Sequence, residues 1–184
     1  MRLFFGLPLA GAALDIAREA QRRLGESRAK MSWADAARLH VTLAFLGEHD
    51  EKGALLAAEA GRIAASAARP FELTLDAAGA FPSPRRPRVI WIGGRSDELV
   101  ALATHLQSEL RARGFDIEER RFRVHATLAR VPPQSARAAA EALAALGALR
   151  PGAMRVESFA LFVSQLRGAR GAVHTARDTF RLGA

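Results

Sequence analysis

Apolar and polar positions change their period several times along this chain. Leu3 to Leu7 is a short apolar run interrupted by Gly6 and closed by Pro8, which predicts a strand over 3–7. Leu9, Ala13, Ile16, Ala17, Ala20 and Leu24 then recur at helical spacing, with Asp15, Arg18 and Glu19 on the other side, and predict a helix over 9–24. The same reasoning gives helices over 51–67, 97–113 and 135–146, and strands over 39–46, 71–77, 88–93, 122–130, 154–163 and 172–181. Gly114 and Gly147 stand where helices should stop, and Ser135 where one should be capped. The stretch "FPSPRRPRVIWIGG" reads as a loop, rich in proline and arginine, that feeds a buried strand. Strands joined by short turns and mixed with helices predict an α+β fold with antiparallel sheets rather than a doubly wound parallel one.

Two of the predicted strands carry nearly the same words. Residues 40–44 read "HVTLA" and residues 125–129 read "HATLA", a separation of 125 − 40 = 85 residues. Side chains alternate across a strand, so His40 and Thr42 share one face about 7 Å apart, and His125 and Thr127 do the same. A single His-x-Thr is a weak signal, because threonine suits strands and a half-buried histidine is ordinary. Its repetition in matching context predicts two halves built alike and facing each other.

Composition narrows the chemistry. The chain of 184 residues, 49% hydrophobic and 25% charged, fits one domain able to bury a core. It has no cysteine, which excludes disulfides, thiolate nucleophiles and Cys-ligated zinc, and suits a reducing cytoplasm. The formal charge is +8, and Lys30 and Lys52 are the only lysines, so the excess is arginine, whose planar fork matches phosphate oxygens. An anionic partner is therefore expected, nucleic acid first. The opening "MRLFFGLPLAGAALD" has the outline of a secretory signal, but Gly6 and Pro8 break it and an amphipathic helix follows; no membrane association is expected. No run approaches the roughly 18 apolar residues of a membrane span.

Two imidazoles and two hydroxyls converging on a groove suit substitution at a phosphodiester. One imidazole acts as base, the other as acid on the opposite side of phosphorus, and the hydroxyls hydrogen-bond the non-bridging oxygens. The chain offers no His-Glu-x-x-His, acidic cluster or Gly-rich phosphate loop, so neither metal nor other cofactor is expected.

At these residues, and over nearly its whole length, the sequence resembles the two-histidine phosphoesterase superfamily. Within it, the resemblance is to the bacterial and archaeal RNA 2′,3′-cyclic phosphodiesterases, also described as 2′-5′ RNA ligase-like. "RLFFGLPL", "LHVTLAFLGE", "FPSPRRPRVIWIG", "FRVHATLAR" and "ALFVSQLRGARG" carry it. The resemblance implies two pseudo-symmetric lobes within a single domain over 1–184, each with an antiparallel sheet lining a central groove and helices outside. It implies hydrolysis of RNA 2′,3′-cyclic phosphate ends to 2′-phosphates, with weak reversible 2′-5′ joining; apart from the resemblance, a cytoplasmic monomer is expected. It implies that His125 accepts a proton from water, that His40 donates one to the departing 3′ oxygen, and that Thr42 and Thr127 bind the phosphate. Arg130 matches a basic residue after the second motif and would be a further phosphate contact, although strict alternation points it away from His125. Val124 replaces the family's usual proline, and His174 stands near a usual tyrosine.

Other readings stay open. The substrate could be a small cyclic nucleotide, or the protein a module that grips RNA ends or nucleotides without turnover. His49 reads as a solvated turn residue and His105 as exposed. Arg85, Arg86 and Arg88 could steer an RNA strand. Trp33 could stack on a base, whereas Phe45 and Trp91 read as core by alternation.

Overall fold

A computed structural model of the chain describes residues 1–166 and 172–183. Strands are β1 (Arg2–Pro8), β2 (Ser32–Trp33), β3 (His40–Glu48), β4 (Phe71–Leu75), β5 (Ala77–Ser83), β6 (Arg86–Gly93), β7 (His125–Arg130), β8 (Gly152–Val156), β9 (Ser158–Leu166) and β10 (Ala172–Arg181). Helices are α1 (Gly11–Gly25), α2 (Glu51–Ser66), α3 (Asp97–Ala112) and α4 (Ala136–Leu146). The last residues of "ALFVSQLRGARG", 167–171, lie outside the described residues.

The expected α+β class with antiparallel sheets is what the chain adopts. The main sheet runs β10-β9-β1-β3-β7-β6-β5, with β2 added beside β7, and β4 and β8 form a separate pair. The element order contains a repeat. β1-α1-β3-α2-β4-β5 is followed by β6-α3-β7-α4-β8-β9, and β10 extends the second copy. In the sheet, β3 and β7 are neighbours, and β1 and β6, then β9 and β5, flank them in the same order outward. A pseudo-twofold axis therefore passes between the two motif strands. The last strand of each copy pairs with the first strand of the other, β5 with β6 and β9 with β1. The helices follow the same exchange: α1 packs on β7 and β8 beside α4, while α3 packs on β3 beside α2.

Two predicted strands divide in two. The reading 71–77 is β4 followed by β5, broken at Asp76, and 154–163 is β8 followed by β9, broken at Glu157. In each case the chain leaves the small sheet for the main one at a single acidic residue. The stretch read as a loop from Phe81 is accordingly the end of β5 and the turn of a hairpin, in which Ala80 pairs with Ile90 and Phe81 with Val89. Helix α1 starts two residues late, at Gly11; Leu9 precedes it with its amide on the Leu39 carbonyl and its side chain buried. Ser135 is buried in a short 3-10 turn and makes no capping bond, whereas Asp50 and Ser96 cap α2 and α3 by accepting from Gly53 and Leu99 amides. Gly114 and Gly147 have positive φ at helix ends, as their positions suggested.

Candidate active site

Each motif strand carries a one-residue bulge at the same letter. On β3, Gly6 pairs with Thr42 but Phe5 with Ala44, so Leu43 is skipped. On β7, Trp91 pairs with Thr127 but Ile90 with Ala129, so Leu128 is skipped. Leu43 and Ala44 both face the core, as do Leu128 and Ala129. The alternation is thereby reset, and the next residues, Phe45 and Arg130, return to the face that bears the histidines. This corrects two expectations. Phe45 is not core: it is 57% exposed and its ring stacks on Phe4 at 5.7 Å. Arg130 does not point away from His125 but emerges, exposed, on the same side of β7.

The two imidazoles are held alike. His40 Nδ1 lies 2.9 Å from the Arg38 carbonyl, and His125 Nδ1 lies 2.8 Å from the Arg123 carbonyl. A carbonyl can only accept, so each Nδ1 carries the proton and each Nε2 is left to the groove. The strands meet at the pair Val41↔Ala126. Its antiparallel register aligns His40 with Thr127 and Thr42 with His125, so each imidazole neighbours the other motif's hydroxyl. Burial, which disfavours the charged form, lowers the pKa of both histidines from the ordinary 6.5. The backbone hydrogen bonds oppose this at each, and the positive charges of Arg120 and Arg123 add to it at His125.

The surroundings of the two differ. His40 sits against Phe4 at 5.1 Å, with Phe162 stacked on Phe4 from β9. Gly6 lets the rings close in: a Cβ there would lie 3.1 Å from Phe4 and 3.3 Å from Phe162, so both rings would have to give slightly. His174, on β10, stands edge-on to His40 at 5.6 Å and to Phe4 at 4.9 Å. It stands beside His40, at the place where the sequence resemblance puts a tyrosine. Burial lowers its pKa first, and the neighbouring charges of His40 and Arg38 lower it further. His125 instead has Phe81 edge-on at 5.0 Å and Trp91 at 6.4 Å. Trp91, expected in the core, is a groove residue because it pairs with Thr127 and shares that face. Its indole lies over Gly79, where a Cβ would come within 2.4 Å of Cζ2, so glycine is required for the close approach. The Arg123 guanidinium covers both rings, 5.2 Å from Phe81 and 5.5 Å from Trp91.

The remaining candidates fall outside this cluster. His49 is not a solvated turn residue; its Nε2 is 3.0 Å from the Leu46 carbonyl and its ring packs on Phe115 at 4.8 Å. His105 is within 3.6 Å of Glu109 on α3. Trp33 is 41% exposed on β2, opposite Ala129. Arg85, Arg86 and Arg88 are exposed around the β5–β6 turn. Among the described residues, no three His, Asp or Glu side chains converge so as to hold a metal ion.

The model of the 2′-5′ RNA ligase superfamily matches residues 12–168. A Methanothermobacter thermautotrophicus protein named RNA 2′,3′-cyclic phosphodiesterase is 31% identical over 184 residues, covering 99% of each chain. An Escherichia coli protein of the same name is 38% identical over 138 residues, 70% of this chain and 71% of its own. Among solved structures, one from Thermus thermophilus superposes with a TM-score of 0.83 at 28% identity, covering 100% of this chain and 99% of the other. Escherichia coli LigT complexed with 3′-AMP superposes at 0.71 and 29% identity, covering 100% and 98%.

Proposed function

The chain belongs to the 2′-5′ RNA ligase superfamily, and on that premise we propose that it hydrolyses 2′,3′-cyclic phosphate ends of RNA to 2′-phosphates without a metal or other cofactor. One observation carries this reading: two imidazoles on neighbouring, pseudo-symmetric strands, each with Nδ1 tied to a carbonyl two residues earlier, which leaves Nε2 for the reaction. Water enters on the His125 side and gives a proton to its Nε2 as the new P–O bond forms. The bond from phosphorus to the 3′ oxygen breaks, and the His40 imidazolium protonates that oxygen. Thr42, Thr127 and Arg130 hold the non-bridging oxygens, where charge builds. An RNA 5′-hydroxyl in place of water would yield a 2′-5′ linkage, the weak reversible joining of the family. Residues 1–184 act as one bilobal unit and a monomer. A cytoplasmic location fits the absence of cysteine; no helix of the described residues is long and apolar enough to cross a membrane.

The direct test is an oligoribonucleotide ending in a 2′,3′-cyclic phosphate, incubated with the protein in EDTA. The product should be a 2′-phosphate, identified by mass and by phosphatase sensitivity. Binding without turnover would instead favour a module that only grips RNA ends.

The pKa directions set the pH dependence. The base must be neutral and the acid protonated, yet burial holds both values below 6.5. Near neutral pH the scarce species is protonated His40. The kcat/KM profile should therefore be bell-shaped with its maximum on the acid side of 6.5. A bound phosphate anion favours both imidazolium forms, so the kcat profile should lie at higher pH. A flat kcat/KM between about pH 5 and 9 would count against two titrating imidazoles.

A further inference from the structure

A cavity of about 650 Å³ opens beside His125, between the β5–β6 hairpin, the start of α3 and the segment that leads into β7. His40 is not part of its wall. The attacking water needs about 30 Å³, whereas ligand pockets run to about 300–1,000 Å³. The catalytic step alone leaves most of this space unexplained. Three guanidiniums line it, those of Arg95, Arg121 and Arg123. Arg95 and Arg121 are exposed and, among the described residues, form no ion pair or side-chain hydrogen bond, although Asp76 and Asp97 line the same cavity. Arg123 is stacked on Phe81 and Trp91, which leaves its N–H edges to the cavity. Around His40 the groove is built the other way, from the aromatic rings of Phe4, Phe45, Phe162 and His174.

Bases seek aromatic faces and phosphates seek guanidiniums. We propose that the cavity beside His125 seats the second nucleotide of an RNA strand, the one preceding the cyclic end. Arg95 and Arg121 hold its phosphodiester, while the terminal base lies on the Phe4–Phe45 side. The site is then one for RNA ends in preference to free cyclic nucleotides, an inference that rests on the cyclic phosphodiesterase reading.

The test compares a short oligoribonucleotide 2′,3′-cyclic phosphate with a nucleoside 2′,3′-cyclic phosphate, across a salt series. The variants are Arg95→Ala, Arg121→Ala, their combination, and Arg121→Lys. The double variant should lose roughly tenfold or more in kcat/KM on the oligonucleotide, about 1.4 kcal/mol. Its slope of log kcat/KM against log salt should shrink by about 0.7 for each phosphate contact removed. Arg121→Lys should keep most of the oligonucleotide rate, and mononucleotide turnover should stay within about twofold throughout, which also shows the variants folded. Equal loss on both substrates, or no loss on either, overturns the subsite. A wild-type protein inert towards both substrates overturns the activity beneath it, so the two failures look different.

Discussion

His125→Ala is expected to lower kcat on a 2′,3′-cyclic oligoribonucleotide by roughly 10²–10⁴, and His40→Ala by a similar factor, the range of a single proton-transfer catalyst. Neither ring is part of the buried core; each bonds only to a carbonyl two residues earlier, so the melting temperature should hardly move. A residue that merely gripped the phosphate would raise KM and leave kcat alone. The pH profiles separate the two roles. Without the base, His125→Ala should lose the decline on the acid limb; without the acid, His40→Ala should lose the decline on the alkaline limb. Profiles exchanged between the two variants would exchange the roles. The double variant should be little worse than either single one, because groups that act as a unit are not additive.

The second large effect is expected at the threonines. Thr42→Val and Thr127→Val keep a β-branched side chain on their strands but remove the hydroxyl. If each hydroxyl donates to a non-bridging oxygen as charge develops, kcat should fall by roughly 10²–10³, the cost of losing one such donor. Thr→Ser at either position should recover most of the rate. Because the register sets each threonine opposite the other motif's histidine, the two valine variants should shift the pH profile differently, Thr42→Val disturbing His125 and Thr127→Val disturbing His40. Near-wild-type kcat with both hydroxyls gone would remove them from the reaction.

What could be read from the letters and what could not divides at the leucines of the two motifs. Within His-x-Thr the period of two holds, and the shared face of His40 and Thr42, or of His125 and Thr127, follows from spacing alone. After the threonine, Leu-Ala is apolar twice over and fits either an unbroken strand or a bulge. The pairing partner decides, and it lies on β1 for one motif and β6 for the other. Alternation alone therefore puts Phe45 and Arg130 on the wrong side. Trp91 misled for a related reason: in "VIWIG" every residue is apolar, so the sequence carries no face to assign, and only its pairing with Thr127 places the indole in the groove. The hairpin of β5 and β6 is masked by its prolines: Pro84 does lie in the turn, but Pro82 sits on the edge strand β5, paired with Pro87 at the start of β6. His174 could be suspected from its place near the end of the chain. Its edge-on contact with His40 depends on β9 joining β1, a contact between residues more than a hundred positions apart.

That joining of β9 to β1 sets a clock on synthesis. A growing chain makes His40 and its strand early, but Phe162, the ring stacked on Phe4 behind it, arrives only with β9. At 5–20 residues per second the first strand waits on the order of 10–30 s for its outer neighbour. Until then β1 has an open edge and an apolar face, and the groove has one wall. A chain halted after β5 would hold one complete motif and no working cleft. The wall beside His40 is therefore complete only once β9 and β10 have been made.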